Sequence, residues 1–505
     1  MKTIAIIAIA LLLAPLADAR GPRPEPPAPA PGDTFTALID KARQAEEMDD
    51  FDAAVVCWTA ALKLRPGDAT LLFNRANDYA GDNESPAAQQ NNVNAIADYT
   101  EALRINPKYI EALLARARAC EAAKHLTLAI ADCNEAIRID PKNLPSYQQL
   151  AGIYQDLGQM EKVLAVYDAA VAANPDNADA YWNRAAFCFT YYPDKAIADY
   201  TEVIRRDPKL MKAYDARARV YAKTGKWDEA IADFTTEINA GPAAPEGDSS
   251  PYKARAAAYA QKKQWDLAQA DLDKLITSES DSDSGDVDYD AYVARGDASR
   301  AKGDYAKALT DYTIAIHSQD AQQADLDTAH LGRGETYWAM GQKDKAIADF
   351  TRAVELHLHG EACQRLAQAE FDTGQFDKAI ACSTLGIVRC DMGMDAYILR
   401  GAAHAAKGDA KLAAQNYHEA RDSAIEDCQK SKWKKPGPID TLAAIESRLG
   451  EFYMAAIHEQ MALDLAAHNA DAQTLKAMQS RLDLYRRQKP WPGEIKQDES
   501  SESPE

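Results

Sequence analysis

The chain has 505 residues and a net charge of −21, from 57 Lys+Arg against 78 Asp+Glu. With 47% hydrophobic and 27% charged residues it carries enough apolar material to bury a core, which excludes wholesale disorder. An acidic chain with no Lys/Arg-rich run lacks the basic footprint that phosphate contacts require, so nucleic acid is not an expected partner.

Residues 1–19 read as a secretory signal peptide. Lys2 supplies the positive start, Ile4 to Leu13 the apolar run, Pro15 a break, and Ala17-Asp18-Ala19 the small residues before cleavage. The run is too short to span a bilayer comfortably, and no later stretch reaches 18 apolar residues, so no transmembrane segment is expected in the mature chain. The expected location is therefore periplasmic or secreted. Residues 20–33 form a Pro-rich linker, with six prolines between Pro22 and Pro31.

From Phe35 the chain repeats a 34-residue pattern twelve times. A small residue holds the eighth place, from Ala42 and Ala76 through Gly296, Gly334 and Gly401 to Ala443. Ala holds the twentieth place in eleven repeats, Val163 being the exception. Gly marks a turn at the fifteenth place in seven repeats, and Pro closes the first six. Two helices of about 13 residues joined at that turn make an antiparallel hairpin, and Ala or Gly at the contact places lets the helices approach. Extra residues fall inside the second repeat near Asp82 to Asn92 and between repeats at 243–250, 279–288 and 431–438. The expected organisation is repeats 1–6 over 34–248, repeats 7–11 over 249–430, repeat 12 over 436–470, a capping helix over 471–488, and an acidic disordered tail over 489–505.

This pattern closely resembles the tetratricopeptide repeat (TPR). The resemblance implies an all-α fold, a right-handed superhelical solenoid of about twelve helix-turn-helix hairpins with a C-terminal capping helix. It also implies a concave groove for protein or peptide partners, lined by places 2, 5, 6, 9 and 12 of each first helix. In this chain those places include Trp182, Asn183, Lys212, Asp215 and Arg219 in the fifth and sixth repeats, and Glu335 and Trp338 in the ninth. Asn183 and Lys212 match two places of the clamp with which some family members grip a C-terminal carboxylate. Ala216 replaces its second basic residue.

Comparing the repeats with one another exposes a pair. Arg occupies the seventh place as Arg75, Arg116, Arg184, Arg217, Arg255, Arg295, Arg333 and Arg400. The twenty-third place of the first seven of these repeats holds Asp98, Asp132, Asp199, Asp233, Asp271, Asp311 and Asp349, and the eighth holds Asn416, also an acceptor. Each Arg arrives with its own acceptor, so the expectation is a structural ion pair joining two helices rather than a ladder that binds an anion.

No nucleophile elbow, metalloprotease His pair or phosphate-cradling Gly loop is present, so no catalytic residues, metal or cofactor are assigned. His357, His359, Cys363, Cys382 and Cys390 form the best metal candidate, set against helix-terminal histidines. The Asp-rich stretch from Asp281 to Asp290 lacks the order of a calcium loop. Cys363 with Cys390, and Cys120 with Cys133, are disulfide candidates, and all four are equally ordinary packing places for a reduced thiol. The function expected is a non-catalytic protein-interaction scaffold or assembly adaptor. The alternatives are a metal-dependent or hydrolytic enzyme with a scattered site, and a purely structural spacer.

Overall fold

The computed structural model describes residues 34–81, 88–241, 250–280, 289–317, 326–358, 360–390, 393–467 and 470–491. The signal peptide, the Pro-rich linker, His359, Asp281 to Asp288 and most of the acidic tail lie outside them. The described residues form helices and turns, in two compact units, Met1–Gly225 and Lys226–Glu505.

The N-terminal unit contains α1 (Phe35–Glu47), α2 (Phe51–Leu64), α3 (Ala69–Gly81), α4 (Ala88–Ile105), α5 (Ile110–Ala122), α6 (Leu126–Ile139), α7 (Leu144–Asp156), α8 (Met160–Ala173), α9 (Ala178–Tyr191), α10 (Pro193–Arg206) and α11 (Met211–Lys223). The C-terminal unit contains α12 (Trp227–Asn239), α13 (Pro251–Gln261), α14 (Trp265–Ser280), α15 (Tyr289–Lys302), α16 (Tyr305–Ile316), α17 (Leu326–Ala339), α18 (Lys343–Leu356) and α19 (Gly360–Asp372). It continues through α20 (Phe376–Arg389), α21 (Gly393–Ala406), α22 (Ala410–Lys430), α23 (Pro436–Arg448), α24 (Phe452–Ala466) and α25 (Ala472–Arg486). Within each unit consecutive helices pack as antiparallel hairpins, and each hairpin packs on the next. The result is the all-α repeat solenoid that the periodicity predicts, closed by α25.

The turn at the fifteenth place has a backbone reason. Gly158, Gly225, Gly303, Gly341, Gly374, Gly408 and Gly450 all take φ between 68° and 86°, the left-handed region in which a Cβ is penalised. Asp49, Lys124 and Lys263 hold the same place with φ of 55°, 62° and 56°, so the turn imposes its geometry even where Gly is missing.

The core follows the small-residue places. Ala42, Ala76 and Ala185 at the eighth place, with Ala54, Ala95 and Ala196 at the twentieth, are fully buried in their hairpins; Ala218 and Ala230 are each fully buried in their own unit. Gly334 allows a still closer approach, because a Cβ added there would stand 2.6 Å from the Phe350 ring. Gly334→Ala is therefore expected to cost about 1–3 kcal/mol by overpacking. Gly152→Ala on α7, where a Cβ meets nothing within 4 Å, should stabilise by about 0.5–1 kcal/mol. Urea titration of the two variants checks this, and an equal loss at both sites contradicts the packing account.

Two elements depart from the sequence expectation. α22 runs for 21 residues rather than about 13, since Ala420, Ala424 and Cys428 recur at helical spacing and all bury in one apolar cluster with Ile439, Leu442 and Ile445. A longer connection also separates α16, ending at Ile316, from α17, starting at Leu326, where no spacer is expected. The repeat frame absorbed those extra residues silently, because Gly296 and Gly334 still fell on the eighth place.

Candidate functional site

The seventh-place arginines show what the repeat builds. Arg75 donates from Nε and Nη2 to the two carboxylate oxygens of Asp98 at 2.7 and 2.8 Å. The same bidentate geometry joins Arg116 to Asp132, Arg184 to Asp199, Arg255 to Asp271, Arg295 to Asp311 and Arg333 to Asp349, at 2.7 to 3.0 Å. Arg217 and Asp233 lie in different units: Arg217 donates to Thr201 at 2.9 Å, and Asp233 is buried. Hydrogen bonding to aspartate, opposed by burial, holds Arg75, Arg116, Arg184, Arg255 and Arg333 above the ordinary guanidinium range. Burial pushes the Asp349 carboxyl upward, but Arg333 and His330 together outweigh it and leave it below the usual value.

A third partner escaped the sequence reading. The remaining nitrogen, Nη1, reaches back to the second helix of the preceding hairpin. Arg75 meets Thr59, Arg116 meets Thr100, Arg184 meets Asp168, Arg255 meets Thr235, Arg295 meets Asp273, Arg333 meets Thr313 and Arg400 meets Thr384, at 2.7 to 3.4 Å. Each arginine thus joins the two helices of its own hairpin and fastens that hairpin to its neighbour. The signal was present: Thr or Asp holds the twenty-fifth place of every repeat that precedes an Arg repeat.

On the first-helix face of the N-terminal unit, Trp182 of α9 is half-buried and packs edge-on against Tyr200 of α10, with ring centroids 5.4 Å apart. It shares an apolar cluster with Ala216 and Val220, which sets α9 beside α11. On α11, Arg219 donates from Nε to both oxygens of Asp215 at 2.9 and 2.8 Å, while Lys212 is exposed and Asn183 on α9 half-buried. In the C-terminal unit Glu335 of α17 is held between Arg300 of α15 at 2.8 Å and Arg365 of α19 at 2.9 Å. Its side chain is 17% exposed and its carboxylate doubly partnered, so this place offers a charge network rather than a free acid. Trp338 lies nearby on α17, with the Lys343 ammonium 5.2 Å from its ring centre.

Four stretches of the chain match sequence profiles described as "Tetratricopeptide repeat": residues 87–143, 193–245 and 331–382 match one profile, and 144–177 another. The chain is a tetratricopeptide-repeat protein. Repeats of this kind are protein-interaction scaffolds, and this TPR protein is built on the same plan. Among solved structures it is similar to a tetratricopeptide repeat protein from Parabacteroides merdae, at 20% identity over 52% of this chain and 98% of that one, with a TM-score of 0.37. It is also similar to yeast Tom70, at 16% identity over 90% of this chain and 96% of that one, with a TM-score of 0.43. YrrB, described as a TPR protein with an unusual peptide-binding site, is 20% identical over 37% of this chain and 93% of its own, with a TM-score of 0.28. No curated protein matches the chain.

Cys363 Sγ and Cys390 Sγ approach to 3.5 Å as free thiols, and Cys382 donates to the Cys363 carbonyl at 3.3 Å. Burial pushes the Cys390 thiol up to about 11. Cys120 and Cys133 are free and buried in the core of the third hairpin. Among the described residues no three of His, Cys, Asp or Glu converge as a metal site; His357 pairs with Asp327 at 3.1 Å. No helix among them is long and apolar enough to cross a membrane.

Proposed function

We propose that this TPR protein is a non-catalytic scaffold or assembly adaptor, exported by its N-terminal segment. It binds protein or peptide partners on the face of its first helices, with α9 and α11 as a principal contact. The observation that carries this reading is the half-buried Trp182 beside an Arg219–Asp215 pair and the exposed Lys212. An indole fixed by Tyr200 offers apolar area at little entropic cost, and the charges around it can orient a chain. The apolar run and small-residue cleavage pattern of residues 1–19 support export.

A random peptide library panned on the full chain tests the assignment. Selected peptides should lose affinity roughly tenfold or more on Trp182→Ala or Arg219→Ala, the scale of a central interface residue. Lys378→Ala on the exposed surface of α20 should leave their binding unchanged. Peptides that bind all three variants alike would place the contact elsewhere.

A further inference from the structure

The eleventh hairpin breaks the charge balance that the other Arg-bearing hairpins keep. Arg400 of α21 occupies the same place as the paired arginines, but its partner on α22 is the neutral Asn416. Nε donates to Asn416 Oδ1 at 2.7 Å and Nη1 to Thr384 Oγ1 on α20 at 3.2 Å. The asparagine nitrogen turns away, donating to the Leu412 carbonyl at 2.8 Å. Nη2, which meets a carboxylate oxygen in the paired hairpins, therefore finds no acceptor among the described residues. A half-buried guanidinium stands here without the counter-charge its equivalents have.

The same side chain lines a cavity of about 340 Å³ between α20, α21 and α22. Ile380, Tyr397 and Leu412 supply its apolar surface, and the Tyr397 ring centre lies 5.3 Å from the Arg400 guanidinium carbon. Gln415 and His404 add polar groups, and His404 Nδ1 is buried without a hydrogen-bond partner, 3.5 Å from Asp409 Oδ2. Glu419 also lines the cavity, is exposed, and makes no hydrogen bond to Arg400.

We propose that this cavity is a carboxylate-binding subsite, in which a monoanion takes the place on Arg400 Nη2 that aspartate fills in the other hairpins. One unbalanced positive charge matches one negative charge. Glu419 and the net charge of −21 oppose any anion, a phosphate dianion about twice as strongly as a monoanion, and phosphate gains nothing from the apolar wall. The volume suits a single side chain or chain end rather than a larger ligand. The subsite is independent of the face around Trp182, because it lies in the other unit and is lined by two second helices and one first helix.

Calorimetric titration of the full chain at low ionic strength tests it with three probes. N-acetylglutamate α-amide presents only a side-chain carboxylate, N-acetylleucine presents a chain-end carboxylate beside an apolar group, and inorganic phosphate presents neither. At least one carboxylate probe should bind more tightly than phosphate, and whichever binds better identifies the source. Asn416→Asp, which rebuilds the internal pair, should weaken that binding roughly tenfold or more while holding or raising the Tm, as should Arg400→Gln for binding alone. Failure of both carboxylates to bind, a preference for phosphate, or unchanged binding in the well-folded Asn416→Asp protein would each overturn the proposal.

Discussion

Replacing Asp271 by alanine should destabilise the seventh hairpin by about 3–5 kcal/mol, whereas Arg255→Met with Asp271→Leu should cost far less. The two side chains are 10% and 5% exposed and share two hydrogen bonds of 2.7 Å. Removing the carboxylate alone leaves a guanidinium in a site from which water is largely excluded. Its Nη1 bond to Thr235 at 2.8 Å cannot neutralise the charge. Removing both exchanges an ion pair for apolar packing of similar volume, which elsewhere is close to neutral. Urea titration of the single and double variants gives the coupling energy. Hydrogen exchange should show the loss concentrated in α13, α14 and their immediate neighbours, since each hairpin touches only the next. Additive losses in the cycle would show that the pair carries no coupling.

The second large effect concerns the closing helix. Glu459 of α24 is 0% exposed; its Oε1 accepts from Arg481 Nε of α25 at 3.1 Å, and its Oε2 is buried without a partner. Arg481 also binds Asp440 of α23, so one guanidinium serves two carboxylates. Burial first, then the Asp440 charge, pushes the Glu459 carboxyl up to about 9, with Arg481 pulling the other way. A carboxyl whose folded value is raised favours folding while it is protonated. That contribution is fully present below the unfolded value of about 4.3 and is lost as pH rises towards 9. Docking of α25 should therefore weaken between these limits, by at most about 1.4 kcal/mol per pH unit. Glu459→Gln should flatten the slope and be the more stable protein above neutral pH. Thermal melts of the two proteins from pH 5 to 9 check this, and parallel profiles would assign the slope to other groups. His458, bonded to Glu446 at 2.8 Å, lies one residue away and is present in both proteins.

What could be read from the chain was what it repeats. Ala at the eighth and twentieth places, Gly at the fifteenth, and the matched Arg and Asp recur often enough to reveal the hairpin and its internal pair without any other sequence. The Thr or Asp at the twenty-fifth place recurs as often, yet its meaning depends on the next repeat, so comparison within a single repeat passes over it. Unique features stayed hidden for the opposite reason. Glu459, Asp440 and Arg481 meet once, from three helices, and Glu335 is gripped by arginines from the repeats before and after it. Nothing in the local spacing of these residues announces either cluster. Asn416 looked like a harmless substitute because it can still accept a hydrogen bond. Its cost, a missing negative charge, becomes visible only when both edges of the guanidinium are followed.

The backward reach of the arginines has a direction in time. Within each unit a new hairpin brings the guanidinium, and the hairpin already made holds the threonine or aspartate that receives it. A chain leaving the ribosome N-terminus first therefore presents the backward acceptor before the donor, while the paired aspartate follows its arginine by 15 to 23 residues, so the new hairpin can be tethered to its predecessor before its own ion pair closes. At Leu150, Leu366 and Leu442 the seventh place is apolar and buried, so there it contributes packing in place of the forked guanidinium. Packing of that kind is less selective about orientation than a forked hydrogen bond.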